Sequence, residues 1–208
     1  MLKILHLIFG PNIYIISSYF VKIILLAKGI KIGKNLYIQG IPSLKCRGVS
    51  SNIIIGDNVS IYGNIDLRNR ENGRIIIENG CSFDNDCRLV SANNAILRFK
   101  KNCSVGGYNI FNAGDDITIG EDTLMSGFCF LQSSNHGTAL GSLIKHQNHT
   151  YGKIEIGNDC WIASNVTIVA GVTIGNGAIV GANAVVTKDL CANSINVGIP
   201  ARQIGVRK

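Results

Sequence analysis

Three of the four histidines in this 208-residue chain, His136, His146 and His149, fall within 14 residues of one another. Imidazole titrates near neutrality, so a histidine on an accessible segment can take a proton from a hydroxyl and return it to a leaving group. The single tryptophan, Trp161, follows 25 residues after His136. The same three histidines could be considered as metal ligands, but all of them belong to one continuous flexible segment, a poor geometry for a shared ion, and no metal is expected. Seven cysteines are present without a CxxC pair, which argues against a zinc site or a disulfide framework and points to reduced thiols in a cytosolic setting.

The elements that must hold these residues show a period of six. From Ile156 the chain reads IGNDCW IASNVT IVAGVT IGNGAI VGANAV VTKDL, with an aliphatic residue opening each unit. In the same register upstream lie the triplets Ile32, Ile38, Leu44; Ile55, Ile61, Leu67; Ile77, Phe83, Leu89; Phe99, Val105, Phe111; and Ile119, Met125, Leu131. With Ile156, Ile162, Ile168 and Ile174, Val180, Val186 these make seven groups of three, the pattern of a parallel β-helix in which three six-residue units complete one coil. Each opening residue should point into the prism and stack on its equivalents above and below, burying about 1.5–3 kcal/mol of side chain apiece. Four places later a small residue should face the tight inner corner. Cys81, Cys87, Cys103, Cys129 and Cys160 all hold that place and read as small apolar fillers. Trp161 comes directly after the inward Cys160, where the corner is too tight for indole, and so should point outward towards a cleft.

Composition agrees. The chain is 46% apolar and 16% charged, with 33 Ile, 22 Asn, 24 Gly and 3 Pro, which favours strands and tight turns and excludes a disordered chain or a solvated coiled coil. The period is interrupted at length once: 24 residues separate Leu131 from Ile156, against 5 to 10 between other coils, and this excursion (132–155) carries the histidines. A long departure from a rigid solenoid marks a functional loop.

The net charge of +7 is local. Residues 1–56 contain no acid and seven basic groups, while the remainder balances at 13 against 13. A nucleic-acid groove is therefore not expected. Residues 1–28 are strongly apolar but carry no cleavage site, and the uncharged piece Leu7 to Val21 is shorter than the ~20 residues that span a bilayer. Pro11 should break or start a helix, after which Ile13, Ile16, Phe20, Ile23 and Ala27 share one face. Two readings follow: a helix packed on the domain or an oligomer neighbour, or an interfacial helix on the anionic cytoplasmic face of a membrane. The expected organisation is a helical segment over 1–30, the β-helix over 31–190 and a tail over 191–208.

From about Ile32 to Ile204 the chain resembles the hexapeptide-repeat acyltransferases. The resemblance rests on IGEDTLMSGFCFLQSSNH (119–136), on the Trp-Ile-Ala-Ser step, on the Val-Thr-Lys-Asp turn and on the closing Gly-Ile-Pro-Ala-Arg, in that order. Within that family it is most similar to the O-acetyltransferases of maltose and galactosides, of xenobiotics and of capsular or lipopolysaccharide sugars. The resemblance implies an all-β fold, a left-handed parallel β-helix of about seven coils, assembled as a homotrimer with sites between subunits. It implies acetyl transfer from acetyl-CoA to a sugar hydroxyl, with His136 as base and Trp161 lining the thioester end. Ser164, Ala182, Thr187, Lys188 and Arg202 would follow the CoA channel, small side chains admitting the pantetheine arm and cations meeting phosphates. Asn109 and Asp116 would lie on the acceptor side, and His146 and His149 read as solvated loop residues. The alternatives are an acetyltransferase for a xenobiotic, an amino sugar or serine, and a β-helix serving as a scaffold without catalysis.

Overall fold

The computed structural model describes residue 10 and residues 12–208, so the expectations for residues 1–9 and Pro11 lie outside the described residues. From Lys31 onward the chain winds as a parallel β-helix with three flat faces. The first face stacks strands from Lys31–Ile32 to Thr173–Ile174, the second from Tyr37–Ile38 to Ile179–Val180, and the third from Ser43–Leu44 to Val185–Val186.

The register follows the six-residue period rung by rung. Ile32, Ile55, Ile77, Phe99, Ile119, Ile156 and Ile174 stand opposite one another along the first face. Ile38 to Val180 do so along the second, and Leu44 to Val186 along the third. All are buried except Ile32 and Leu44 in the first coil, which have a neighbour on one side only. Mid-prism, Phe83, Phe99 and Phe111 meet edge to face, with centroids 5.0 and 4.9 Å apart.

The corners explain the cysteines and the asparagines. Cys81, Cys87, Cys103, Cys129 and Cys160 are 0–2% exposed. Each donates its S–H to a backbone carbonyl of the following coil: those of Lys100, Gly106, Gly120, Ala163 and Gly175, at 3.0–3.2 Å. Among the described residues thirteen non-glycine positions have positive φ, and seven of them are Asn, the residue that tolerates this turn conformation best after glycine. Coils approach so closely that a Cβ on Gly120 would come within 2.3 Å of the Gly157 carbonyl.

Helix α1, Asn12–Ala27, closes the open end of the prism, but not with the expected face. Its buried residues are Tyr14, Ser18 and Leu25, while Ile16, Phe20 and Ile23 are exposed. The docked stripe carries the polar Ser18 and Lys22, so hydrophobic periodicity points away from it; hydrogen bonding sets the docking side. The Ile38 N–H, with no coil beneath it, donates to Ser18 Oγ at 2.7 Å, and Lys22 Nζ donates to the Gly33 carbonyl. At the other end, Ser194–Val197 adds a further rung beside Ile179–Val180 and Arg202–Val206 returns antiparallel to it. Residues 191–208 are thus built onto the second face, and Arg207 Nη1 reaches Asp159 Oδ2 at 2.7 Å.

Candidate functional site

The long excursion is ordered. Strand Ser134–His136 pairs antiparallel with His149–Tyr151 in a two-stranded hairpin that rises from the corner between the third and first faces. Its foot is pinned by the buried Ser133, whose Oγ accepts from Gly114 N and Asp115 N at 3.1 Å and donates to the Asp115 carbonyl at 2.8 Å. Its tip is closed by Gln147, whose amide bonds both the N–H and the C=O of Ala139, at 2.8 and 2.9 Å.

His136 stands directly opposite His149 in this hairpin, so their side chains share one face. The rings lie 4.2 Å apart, inclined at 43°, and both residues are exposed. Tyr151 continues the row, its ring 6.2 Å from that of His149. His146 is apart, exposed in a 3₁₀ turn over Ile144–His146. His149 therefore belongs with His136, which sequence spacing did not reveal; the antiparallel pairing brings them together. Among the described residues no group of three or more His, Cys, Asp or Glu is placed to hold a metal.

Asp116 lies beside the hairpin foot, in a hollow of about 490 Å³ shared with Asn93, Tyr151 and Lys153. Its Oδ1 accepts from Ile96 N at 2.8 Å and its Oδ2 faces Lys153 Nζ at 3.2 Å. The Asp116 carboxylate in turn holds the Lys153 ammonium above the usual lysine range.

Asn109 is a correction. It is wholly buried, in the inward corner column between Cys87 and Cys129, and its amide is fully committed. Its Nδ2 donates to the Gly106 and Ser126 carbonyls at 2.7 and 2.9 Å, and its Oδ1 accepts from Cys129 N at 2.6 Å. It locks a corner and has nothing to offer an acceptor. The signal was in the sequence: Asn109 is four places after Val105, the slot the cysteines fill elsewhere.

Trp161 is 47% exposed, on the outside of the second face between Leu124 and Ile179. Ser164 and Ala182 are exposed on successive coils at the corner between the second and third faces, where Asn183 N donates to the Ser164 carbonyl at 3.0 Å. The same corner continues into an aromatic ledge absent from the sequence reading, Tyr108 stacked on Phe128 at 5.0 Å and 9°, both with positive φ. Thr187 and Lys188 are exposed at the corner between the third and first faces, and Arg202 is exposed on the returning C-terminal strand. A surface hollow of about 780 Å³ lies on the first face around Arg98, Lys100 and Glu155, away from all of these.

Within one chain, then, the imidazole pair and Trp161 occupy different sides of the prism. The hairpin can supply a base at the surface; the second face and its corner supply an exposed indole and a strip of small side chains.

Residues 153–188 match the bacterial transferase hexapeptide family (six repeats). The chain is 31% identical over 168 residues, 80% of its own length and 53% of the relative's, to a Mycobacterium tuberculosis protein named as an acetyltransferase. It is 29% identical over 130 residues, 56% of its length and 64% of the relative's, to an Escherichia coli K12 protein named as a lipopolysaccharide biosynthesis O-acetyl transferase. It thus spans about half of the first relative and under two thirds of the second. Among solved structures it resembles a polySia-specific acetyltransferase, with TM-score 0.65, 19% identity and 85% and 86% of the two chains covered. It also resembles an N-acyltransferase from Bacillus cereus in complex with dTDP and 3-hydroxybutyryl-CoA, with TM-score 0.61, 20% identity and 90% and 88% covered. At these identities the structural likeness is one of fold. The stretch at residues 153–188 thus carries the repeat of the hexapeptide family, and the same six-residue period runs through all seven coils of the chain.

Proposed function

We propose that this protein is an acetyl-CoA-dependent O-acetyltransferase acting on a sugar hydroxyl of a capsular or lipopolysaccharide glycan or its precursor. The observation that carries the reading is the exposed His136–His149 pair, held on an ordered hairpin at the one place where the coil is interrupted at length. The names of the two relatives supply the reaction class.

The thioester is already activated, so the protein has little bond-making chemistry to perform. His136 takes the proton of the acceptor hydroxyl as its oxygen attacks the acetyl carbonyl. The tetrahedral intermediate then collapses, the carbon–sulfur bond breaks, and the imidazolium returns its proton to the CoA thiolate. Trp161 lines the thioester end, the exposed backbone at Ser164 and Ala182 receives the pantetheine arm, and Thr187, Lys188 and Arg202 serve the phosphate-bearing portion. Asp116 sits on the acceptor side.

Because His136 and Trp161 lie on different sides of one prism, a complete site needs His136 of one copy facing Trp161 of another, which the homotrimer supplies. The apolar face of α1 left open by docking, including Ile16, Tyr19, Phe20 and Ile23, together with the surplus of basic groups in residues 1–56, suits attachment to an anionic cytoplasmic membrane surface. No helix among the described residues is long and apolar enough to cross a membrane.

The test is CoA release from acetyl-CoA in the presence of bacterial surface glycans and sugar precursors, with mass spectrometry for a gain of one acetyl group on the acceptor. Sedimentation of the purified protein checks the trimer. Acceptor-dependent CoA release matched by acetylated product supports the reading; absence of release with every glycan would favour a scaffold.

A further inference from the structure

Beyond residue 56 the chain is neutral by count, yet the outer surface of the third face is not. Strands Ile65–Asn69 and Cys87–Ser91 alternate inward and outward, turning Asp66 and Arg68, then Arg88 and Val90, away from the core. Arg70 follows at the corner. One carboxylate answers two of the three guanidiniums: Asp66 Oδ2 accepts from Arg68 Nη2 and from Arg68 Nε at 2.8 Å, and lies 3.4 Å from Arg88 Nε. Arg70 makes no ion pair among the described residues.

The three arginines edge a hollow of about 270 Å³ that no acidic residue lines. Its far side is a polar row: Asn112 Nδ2 donates to Gln132 Oε1 at 3.0 Å, and Gln132 Nε2 to Ser134 Oγ at 2.7 Å. Ser134 opens the hairpin strand and shares a side of it with His136, two residues or roughly 7 Å further on. Small residues at Ala92 and Gly114 keep the floor low.

The fold does not demand this cluster. Asn112 and Gln132 show that uncharged side chains serve equally well on the same face, and gathering guanidiniums against a single carboxylate costs Coulomb repulsion. The planar fork of arginine fits carboxylate and phosphate oxygens, two bonds at a time. We infer that this hollow is an anion subsite of the acceptor: the glycan carries a carboxylate or phosphate oxyanion that Arg70 and Arg88 hold, with Asp66 fixing the neighbouring Arg68, while its hydroxyl extends towards His136. The inference rests on the acetyl-transfer reading for the identity of the ligand as acceptor, but anion binding can be measured without it.

The experiment uses the full chain and three probes at millimolar concentration: trigalacturonate for a carboxylate, glucose 1-phosphate for a phosphate, and neutral maltotriose. Calorimetric titration without acetyl-CoA should show binding of a charged probe and none of maltotriose, and which charged probe binds separates the two sources of oxyanion. The Arg70→Gln, Arg88→Gln double variant should weaken that binding at least tenfold, with its melting temperature recorded to confirm folding. In the CoA-release assay the variant should raise KM for a charged acceptor at least tenfold while KM for acetyl-CoA stays within twofold. Equal binding of charged and neutral probes, or binding indifferent to the two arginines, overturns the subsite. Charged acceptors acetylated with the same KM by both proteins would also overturn it while leaving acetyl transfer intact. Arginine-dependent anion binding with no CoA release from any acceptor would keep the subsite and overturn the transfer reading.

Discussion

Replacing Asn109 by alanine separates a residue that builds the coil from one that touches an acceptor. The side chain is 0% exposed and makes three hydrogen bonds, to the Gly106 and Ser126 carbonyls and from Cys129 N, all of them to backbone. Alanine strands the Cys129 N–H and takes a donor from two buried carbonyls, of which that of Gly106 keeps the Cys87 S–H. A buried group deprived of its partner costs about 1–3 kcal/mol and each weakened carbonyl contact about 0.5–1 kcal/mol, so a loss of about 2–5 kcal/mol is expected. For a chain of this length each kcal/mol shifts Tm by about 2–4 °C, which places the fall at about 4–20 °C. Asn109→Asp keeps the shape but turns two donors into an acceptor facing two carbonyls, and should lose at least as much. Thermal unfolding by circular dichroism reads both, alongside acceptor KM measured at 20 °C on the folded protein. A variant that melts within 2 °C of the parent while raising acceptor KM would refute the reasoning, since the side chain would then be reaching the surface.

Three further outcomes follow from the same geometry. Alkylation of the folded protein at pH 8 should modify Cys191 fast and Cys46 slowly and spare the five inward cysteines until denaturant is added. Burial pushes the Cys87 thiol up to about 11, so early labelling there would contradict its place in the corner. On the helix, Ile16→Ser with Phe20→Ser should lower sedimentation with anionic vesicles several-fold at unchanged Tm, whereas Ser18→Ala, which strands the Ile38 N–H, should cost about 1–3 kcal/mol of stability. Vesicle binding indifferent to the double variant would reject the membrane role of this face. Partial burial alone would raise the Asp66 carboxyl, but the Arg68 hydrogen bond and the charges of Arg68, Lys45 and Arg88 outweigh it and hold the group below its usual value. The stability this pairing supplies is therefore present above the unfolded carboxyl value and is lost only as pH falls through the lowered one. The Tm gap between the parent and Asp66→Asn should hold from pH 7 to 5 and close below the ordinary carboxylate range; a gap that closes near pH 6 would contradict it.

The coil was legible because one physical rule repeats: an inward residue every six places must stack on its copies, and each of the rungs from Ile32 to Val186 pairs as that rule requires. The inward cysteines were legible for the same reason, and Asn109 should have been. Where the pattern carries no information the reading went astray. Apolar periodicity does not announce that a polar stripe of the helix docks, which Ser18 and Lys22 do by answering backbone groups of the first coil. His149 is exposed on the loop as expected, but its place against His136 is set by hairpin pairing, which spacing does not show. The arginine hollow was invisible to charge counting, since Arg68 and Arg88 are 20 residues apart and become neighbours only because Asp66 and Arg88 fall in register on adjacent coils. Trp161 was expected at the surface and is there, on a different side of the prism from the histidines, which makes the assembly of the site a question of two copies rather than one.

The central claim is that His136 removes the proton of the acceptor hydroxyl. The measurement is single-turnover acetyl transfer from acetyl-CoA by the parent and His136→Ala, with acetyl-CoA affinity determined on the same preparations. Loss of a positioned base should slow transfer by about 10²–10⁴-fold at pH 7.5 with acetyl-CoA affinity within twofold. Transfer by His136→Ala at the rate of the parent would contradict the account.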